Sequence, residues 1–74
     1  MEKMAGVVQA WHGDGAYGWI SSDRVLGSYF VHLDDVVGRT ELQEGQRVRF
    51  IAARTARGPR AVAVELIEPA PRRA

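Results

Sequence analysis

The 74-residue chain contains no cysteine, which excludes disulfides and thiolate metal sites and is consistent with a reducing compartment. It has no apolar run near the roughly 20 residues that span a bilayer, and its first residues, Met-Glu-Lys-Met-Ala, lack the hydrophobic segment of a signal peptide. No serine or threonine lies in a recognisable nucleophile motif. We therefore expect a cytoplasmic protein that is not an enzyme, with no membrane partner, no small-molecule substrate, no cofactor and no bound metal.

The chain is too short for a second hydrophobic core, since a domain of this size buries only about 60% of its unfolded surface. We expect a single domain over residues 1–74. Its ordered core is predicted at about residues 5–68, and a Pro/Arg-containing segment at residues 69–74 is expected to form a flexible tail.

A strong excess of positive charge is also missing, because the formal net charge is only +1. Proteins that hold nucleic acid mainly through its phosphates are usually far more basic. The charge is unevenly distributed: residues 1–46 hold three basic and seven acidic groups, whereas residues 47–74 hold seven arginines and two glutamates. Charge alone is equally compatible with a solubilising surface and with a cationic binding region.

Amphipathic helical periodicity is absent over any stretch of ten or more residues, and glycine-rich turns separate short runs of β-formers. The predicted strands are residues 5–11, 17–22, 29–33, 47–54 and 60–67. Leu42 is expected to fill the core and Gly45 to turn the chain before the fourth strand. Five short strands in a chain of this length predict an all-β fold. We expect a five-stranded antiparallel OB-type β-barrel, because closure of the sheet removes its exposed edges. An SH3-like barrel is the alternative.

Local patterns predict further details. Asp34 and Asp35 are expected to begin a short helical turn with an aspartate as its N-cap, and Gly38 to end it. They fit a cap and a solvated charge better than a cation site, because further oxygen ligands at suitable spacing are missing. His12 and Asp14 are interpreted as residues of the first turn.

In the fifth strand, strict alternation predicts that Val62, Val64 and Leu66 share one side. The position of Trp11 at the end of the first strand is open. Alternation groups it with Gln9, but a bulge near the glycine-rich turn would rotate it.

Four of the six Phe, Tyr and Trp residues lie within residues 15–33. Side chains two apart in a strand point to the same side. Tyr17 and Trp19 therefore lie on one face of their strand, and Phe30 and His32 lie on one face of the next strand. If the two strands pair as a hairpin, all four rings stand on one surface and the aliphatic side chains line the core. An exposed group of rings needs a partner, and unpaired nucleobases stack well on rings.

Residues 15–20 read Gly-Ala-Tyr-Gly-Trp-Ile, and residues 29–33 read Tyr-Phe-Val-His-Leu. The order and spacing of these motifs resemble the bacterial cold-shock proteins over about residues 5–67. The family's first motif, like Lys-Gly-Phe-Gly-Phe-Ile, corresponds to Gly-Ala-Tyr-Gly-Trp-Ile at residues 15–20. Its second motif, like Val-Phe-Val-His-Phe, corresponds to Tyr-Phe-Val-His-Leu at residues 29–33. Further matches lie at residues 6–8, 42–50 and 58–59. The resemblance implies an OB-type barrel that binds single-stranded RNA and DNA.

Several positions depart from the family's pattern. Residues 9–11 are Gln-Ala-Trp where the family usually has Lys-Trp-Phe, so a cation and one indole are missing. Gly15 replaces a lysine, and Leu33 replaces the last ring of the second motif. Arg39 lies near a place where relatives often carry an aromatic, and Ala63 replaces a common asparagine. Because stacking on one aromatic contributes roughly 1–3 kcal/mol, two lost positions are expected to weaken binding by one or more orders of magnitude.

We therefore predict a monomer that binds single-stranded RNA or DNA with little sequence preference. By holding RNA unpaired, it would act as an RNA chaperone or as a regulator of transcription or translation. Bases are expected to stack on planar side chains while arginines attract the backbone. The predicted site residues are Trp11, Tyr17, Trp19, Phe30, His32, Arg39, Arg57 and Arg60.

The alternative is a protein-interaction module of the same fold that has lost nucleic-acid binding. The missing ring positions and the low net charge favour this alternative. The surviving rings of the two motifs favour nucleic acid.

Overall fold

The computed structural model describes residues 3–24 and 27–68, apart from the side chain of Glu68. Its strands are β1 (Lys3–His12), β2 (Tyr17–Ser22), β3 (Ser28–His32), β4 (Arg47–Thr55) and β5 (Gly58–Glu68). Two short 3₁₀ turns, Leu33–Asp35 and Val37–Arg39, follow β3. The tail expected at residues 69–74 lies outside the described residues. In the part of the chain that is described, no helix is long and apolar enough to cross a membrane.

The five strands close into a barrel in the order β1-β2-β3-β5-β4, which confirms the predicted five-stranded architecture. Four neighbouring pairs are antiparallel. The exception to the predicted antiparallel sheet is the seam between β3 and β5, which run parallel and pair with Phe30 opposite Arg60. Strand direction reverses at each antiparallel pair, so a closed ring with an odd number of strands must contain a parallel pair.

The core fills the inside of this barrel with aliphatic side chains and one phenylalanine. Alternation along β2 and β3 places Ile20 and Val31 inside, both fully buried. Leu42, in the connection before β4, is 3% exposed, which confirms the prediction that it fills the core. The buried cluster comprises Val8, Ile20, Val31, Val36, Leu42, Val48, Phe50, Ala61 and Val64.

The alternation predicted for β5 is interrupted. The structure buries Ala61 and Val64 completely, whereas Val62 is half-buried and Leu66 is 46% exposed. Between them Ala63 has a positive φ of 51°, and the pairing of β4 with β5 shifts its register at this level. An extra residue in one strand of a pair reverses the alternation beyond it. Leu66 stays on the side of Val64, since it pairs with the buried Val48, whereas Val62 lies beyond the shift and does not. The prediction that Val62, Val64 and Leu66 share one side is therefore wrong.

The turn after β3 also differs from its prediction in two respects. It begins at Leu33, so the capping position falls on His32, whose Nδ1 atom accepts a hydrogen bond from the Asp34 N–H at 3.0 Å. The prediction of an aspartate as the N-cap is therefore wrong, because the turn begins at Leu33, before either aspartate. The prediction that Gly38 ends this turn is also wrong, because the first turn ends at Asp35 and Gly38, with φ of 79°, lies inside the second 3₁₀ turn.

Candidate nucleic-acid interface

One face of the β2–β3 hairpin carries four planar side chains, here called the ring platform: Tyr17, Trp19, Phe30 and His32. Tyr17 pairs with His32, and Trp19 pairs with Phe30. The ring centroids of Tyr17 and Phe30 are 5.7 Å apart, with 27° between the ring planes. Those of Trp19 and Phe30 are 5.4 Å apart in an edge-to-face arrangement at 73°. The structure thus brings the four side chains together as the two-residue alternation predicts.

A further ring reaches this face from β1. The β1–β2 register shifts between Val8 and Ala10, so Gln9 is an extra residue and His12 comes to pair with Tyr17. The ring centroids of His12 and Tyr17 are 4.9 Å apart. His12 therefore adjoins the ring platform, although the sequence was interpreted as placing it in the turn. Ala10 pairs with Trp19 and lies on the same face. His12 is two residues further along, so extending the predicted first strand by one residue would have placed it on this face.

The same register shift directs Trp11 away from the ring platform. Trp11 pairs with Gly18, which in turn pairs with the buried Val31, and the indole packs against the core cluster. The indole Nε1 atom is buried and has no hydrogen-bond partner among the described residues. The bulge considered from the sequence is present, and it turns Trp11 inward. Of the five predicted stacking residues, Trp11 is the one that the structure does not bring to this face.

Arg60 borders the ring platform from β5. It pairs with Phe30, and its guanidinium carbon lies 5.8 Å from the centroid of the Phe30 ring. Its Nε and Nη2 atoms both bind the Oδ2 atom of Asp35, at 2.8 and 2.6 Å. The charge of this predicted cation is therefore paired with a carboxylate of the first 3₁₀ turn.

The other two predicted cations differ from each other. Arg39 pairs with Asp34 at 3.1 Å, and both side chains are largely exposed. Arg57 lies in the turn between β4 and β5, and no carboxylate of residues 3–24 and 27–67 lies within ion-pair distance of its guanidinium. Of the three arginines, Arg57 is thus the cation most available to a phosphate.

A groove of about 300 Å³ runs from the ring platform to the β4–β5 turn. The rings of Trp19 and Phe30 and the side chain of Pro59 provide apolar surface, while Arg57 and Arg60 provide hydrogen-bond donors. Flat apolar surface beside cations suits a ligand that has both a planar ring and a negative charge.

The two aspartates beside the ring platform serve as arginine partners. Among the described residues, no group of three or more His, Asp or Glu side chains is arranged to hold a metal ion. Asp34 and Asp35 instead bind Arg39 and Arg60. Their ion pairs reduce the positive potential that the two arginines add to this surface.

Comparison with known proteins decides the family. The model of the 'Cold-shock' DNA-binding domain matches residues 4–67, a range that includes every predicted site residue. This chain belongs to the cold-shock domain family. This cold-shock domain is 37% identical over 65 residues to the Cold shock-like protein CspA of Vibrio cholerae serotype O1, a match that covers 85% of this chain and 93% of that protein.

A solved structure shares the fold of this cold-shock domain. The structure described as drosophila Unr CSD456 superposes with a TM-score of 0.77 over 92% of this chain, at 14% sequence identity. This chain spans 28% of the length of that one. At such low identity the likeness shows a common barrel, and it carries no information about individual site residues.

Proposed function

We propose that this cold-shock domain binds single-stranded RNA or DNA by stacking unpaired bases on the ring platform. The observation that carries the proposal is a continuous series of rings on one face. Consecutive centroids from His12 through Tyr17 and Phe30 to Trp19 are 4.9, 5.7 and 5.4 Å apart. A single strand presents the flat faces of its bases to such a surface, whereas a duplex hides them between neighbouring pairs.

Low sequence preference follows from the same contacts. Every base has a π-face, so stacking tolerates any sequence. Because the net charge is +1, and because Asp34 and Asp35 pair with two of the candidate cations, phosphate contacts contribute less than in strongly basic proteins. Stacking therefore supplies most of the proposed affinity.

The proposed role in the cell follows from holding RNA unpaired. A protein that stacks on unpaired bases shifts the equilibrium of a weak hairpin toward its open form. The proposal is that the chain acts as a monomeric, single-domain RNA chaperone, and through this on transcription or translation.

Titration of tryptophan fluorescence with a short oligothymidylate at low salt tests the proposal, with a duplex of equal length as the comparison. We expect the single strand to quench the fluorescence and the duplex to bind more weakly. The variant Phe30→Ala is expected to lose about 5- to 150-fold in affinity, the equivalent of one stacked base. Leu66→Ala is the matched control, because Leu66 is an exposed apolar residue near the C-terminal end of β5, whereas Arg60, beside the ring platform, lies near its start. Equal affinity of Phe30→Ala and the unmodified protein contradicts the proposal.

One observation favours the alternative, a protein-interaction module. Arg39 and Arg60 are already paired with aspartates, which leaves Arg57 as the available cation among the three predicted ones. Salt dependence separates the two functions. Binding of an oligonucleotide weakens as salt is added because counterions are released, whereas an apolar protein contact changes little.

A further inference from the structure

Arg60 is held at two of its nitrogen atoms, which sets it apart from an ordinary surface arginine. Its Nε and Nη2 atoms donate to the same oxygen of Asp35. These two nitrogens share one edge of the planar guanidinium, so Asp35 fixes the plane and the direction of the group. The second edge, formed by Nη1 and the outer hydrogen of Nη2, still offers two parallel N–H donors.

The guanidinium lies beside the surface on which a base would stack, with its carbon atom 5.8 Å from the centroid of the Phe30 ring. Arg60 pairs with Phe30 and lines the same groove as Trp19 and Phe30. Its side chain is 38% exposed, whereas that of Asp35 is 23% exposed. The guanidinium is therefore more accessible than the carboxylate that holds it, and a base stacked in the groove would lie within its reach.

The ion pair also changes what Arg60 contributes. A carboxylate at 2.6 Å offsets its positive charge, so its value as a counterion for phosphate is reduced. The remaining donors keep their geometry. Arg60 is thus better suited to hydrogen bonding with a base than to general attraction of the backbone, in contrast to Arg57.

We propose that Arg60, oriented by Asp35, reads the base that stacks beside Phe30 and selects guanine. This inference rests on the proposed function. It adds a preference for one base at one position of the bound nucleic acid, whose other positions accept any base. Two parallel donors match two adjacent acceptors, and guanine offers that pair in O6 and N7. Adenine presents an acceptor beside a donor on the corresponding edge, and uracil alternates acceptor, donor and acceptor. Arg60 is the specificity-determining residue, and Asp35 is its positioning residue.

The direct test uses the unmodified protein and a set of seven-nucleotide oligouridylates, each with one uridine replaced by guanosine, adenosine or cytidine. We expect one position at which guanosine raises affinity at least about fivefold over uridine and adenosine, the lower end of a bidentate contact. Cytidine, whose O2 and N3 atoms also form an adjacent acceptor pair, is the competing base. Equal gains for cytidine and guanosine would overturn the selection of guanine.

Two variants assign the preference to the Asp35–Arg60 pair. Arg60→Lys keeps the charge but removes the fork, so it is expected to abolish the guanosine gain and to leave oligouridylate affinity within about threefold. Asp35→Asn removes the orienting carboxylate. It is expected to lower the guanosine gain while oligouridylate binding becomes tighter and its salt dependence steeper, because the arginine then acts as a free cation.

Arg57→Lys is the control for these variants, since it retains charge in the same groove without a carboxylate partner and should leave the guanosine gain unchanged. If Arg60→Lys weakens all sequences equally, Arg60 binds phosphate and the inference is wrong. If oligouridylate binds but guanosine gives no gain at any position, this inference fails while the proposed function stands. If oligouridylate does not bind at low salt, the proposed function itself fails.

Discussion

Gly18 of β2 and Trp11 of β1 lie so close that no side chain fits between them. A Cβ atom at position 18 would lie 2.7 Å from the indole Cε3 atom and would also meet the backbone carbonyl oxygen of Ala10. Gly18→Ala must therefore push the backbone of β1 away from β2 at Ala10 and displace Trp11 with it. We expect it to lower the free energy of unfolding by about 1–3 kcal/mol, the usual cost of overpacking, as measured by urea denaturation.

Gly13→Ala is the matched control for this prediction. The nearest atom to a Cβ at position 13 is a side-chain oxygen of Glu41 at 3.6 Å, an ordinary contact. Its free energy of unfolding is expected to change by less than about 0.5 kcal/mol. Equal destabilisation by both substitutions would show that the close approach at Gly18 is not the cause.

Gln46 is a buried polar residue that fixes the chain before β4. It is 8% exposed, and its Oε1 atom accepts a hydrogen bond from the Gln43 N–H at 2.8 Å. Gln46→Leu removes the acceptor and leaves that N–H unsatisfied, so we expect a loss of about 1–3 kcal/mol in the free energy of unfolding. Gln43→Leu keeps the backbone donor and changes an exposed side chain, and its thermal unfolding midpoint should match that of the unmodified protein.

The two tryptophans are expected to report differently on a bound strand. Trp19 is 38% exposed on the ring platform, whereas Trp11 packs against the core. Trp19→Phe should remove most of the fluorescence quenching by oligothymidylate, and Trp11→Phe should retain it. The reverse pattern would mean that bases stack near Trp11, which the sequence analysis includes among the predicted site residues.

Arg57 is expected to dominate the salt dependence of binding. Arg57→Gln should reduce the slope of log affinity against log salt concentration by about 0.7, the value for one phosphate contact on a single strand. Arg39→Gln should change the slope less, because Asp34 already pairs with Arg39 at 3.1 Å. Measurement of the dissociation constant at four or more salt concentrations distinguishes the variants, and a larger effect of Arg39→Gln would contradict the assignment.

Much of the hairpin that carries the rings was predictable from local pattern. The bounds of β2, Tyr17–Ser22, agree with the sequence prediction, and the pairing of Trp19 with Phe30 follows from the two-residue period and the turn between the strands. Leu42 was identifiable as a core residue because it is an isolated aliphatic in a polar connection.

The remaining features depend on register and on distant contacts. An extra residue such as Gln9 leaves no mark in the composition of β1, yet it decides that His12 and not Trp11 faces the rings. The Asp35–Arg60 ion pair joins residues 25 positions apart, so it depends on how β5 docks beside β3. The parallel seam, in contrast, follows from the odd number of strands alone.

The proposed site draws on two separate parts of the chain. His12 and the whole ring platform come from consecutive strands within residues 12–32, whereas Arg60 is added by the last strand. The stacking surface therefore lies in one contiguous segment of the chain, and β5 contributes the arginine beside it. In the proposed site, affinity for single strands and preference for a particular base therefore depend on different parts of the chain, and we expect Arg60→Lys to alter the base preference far more than the affinity.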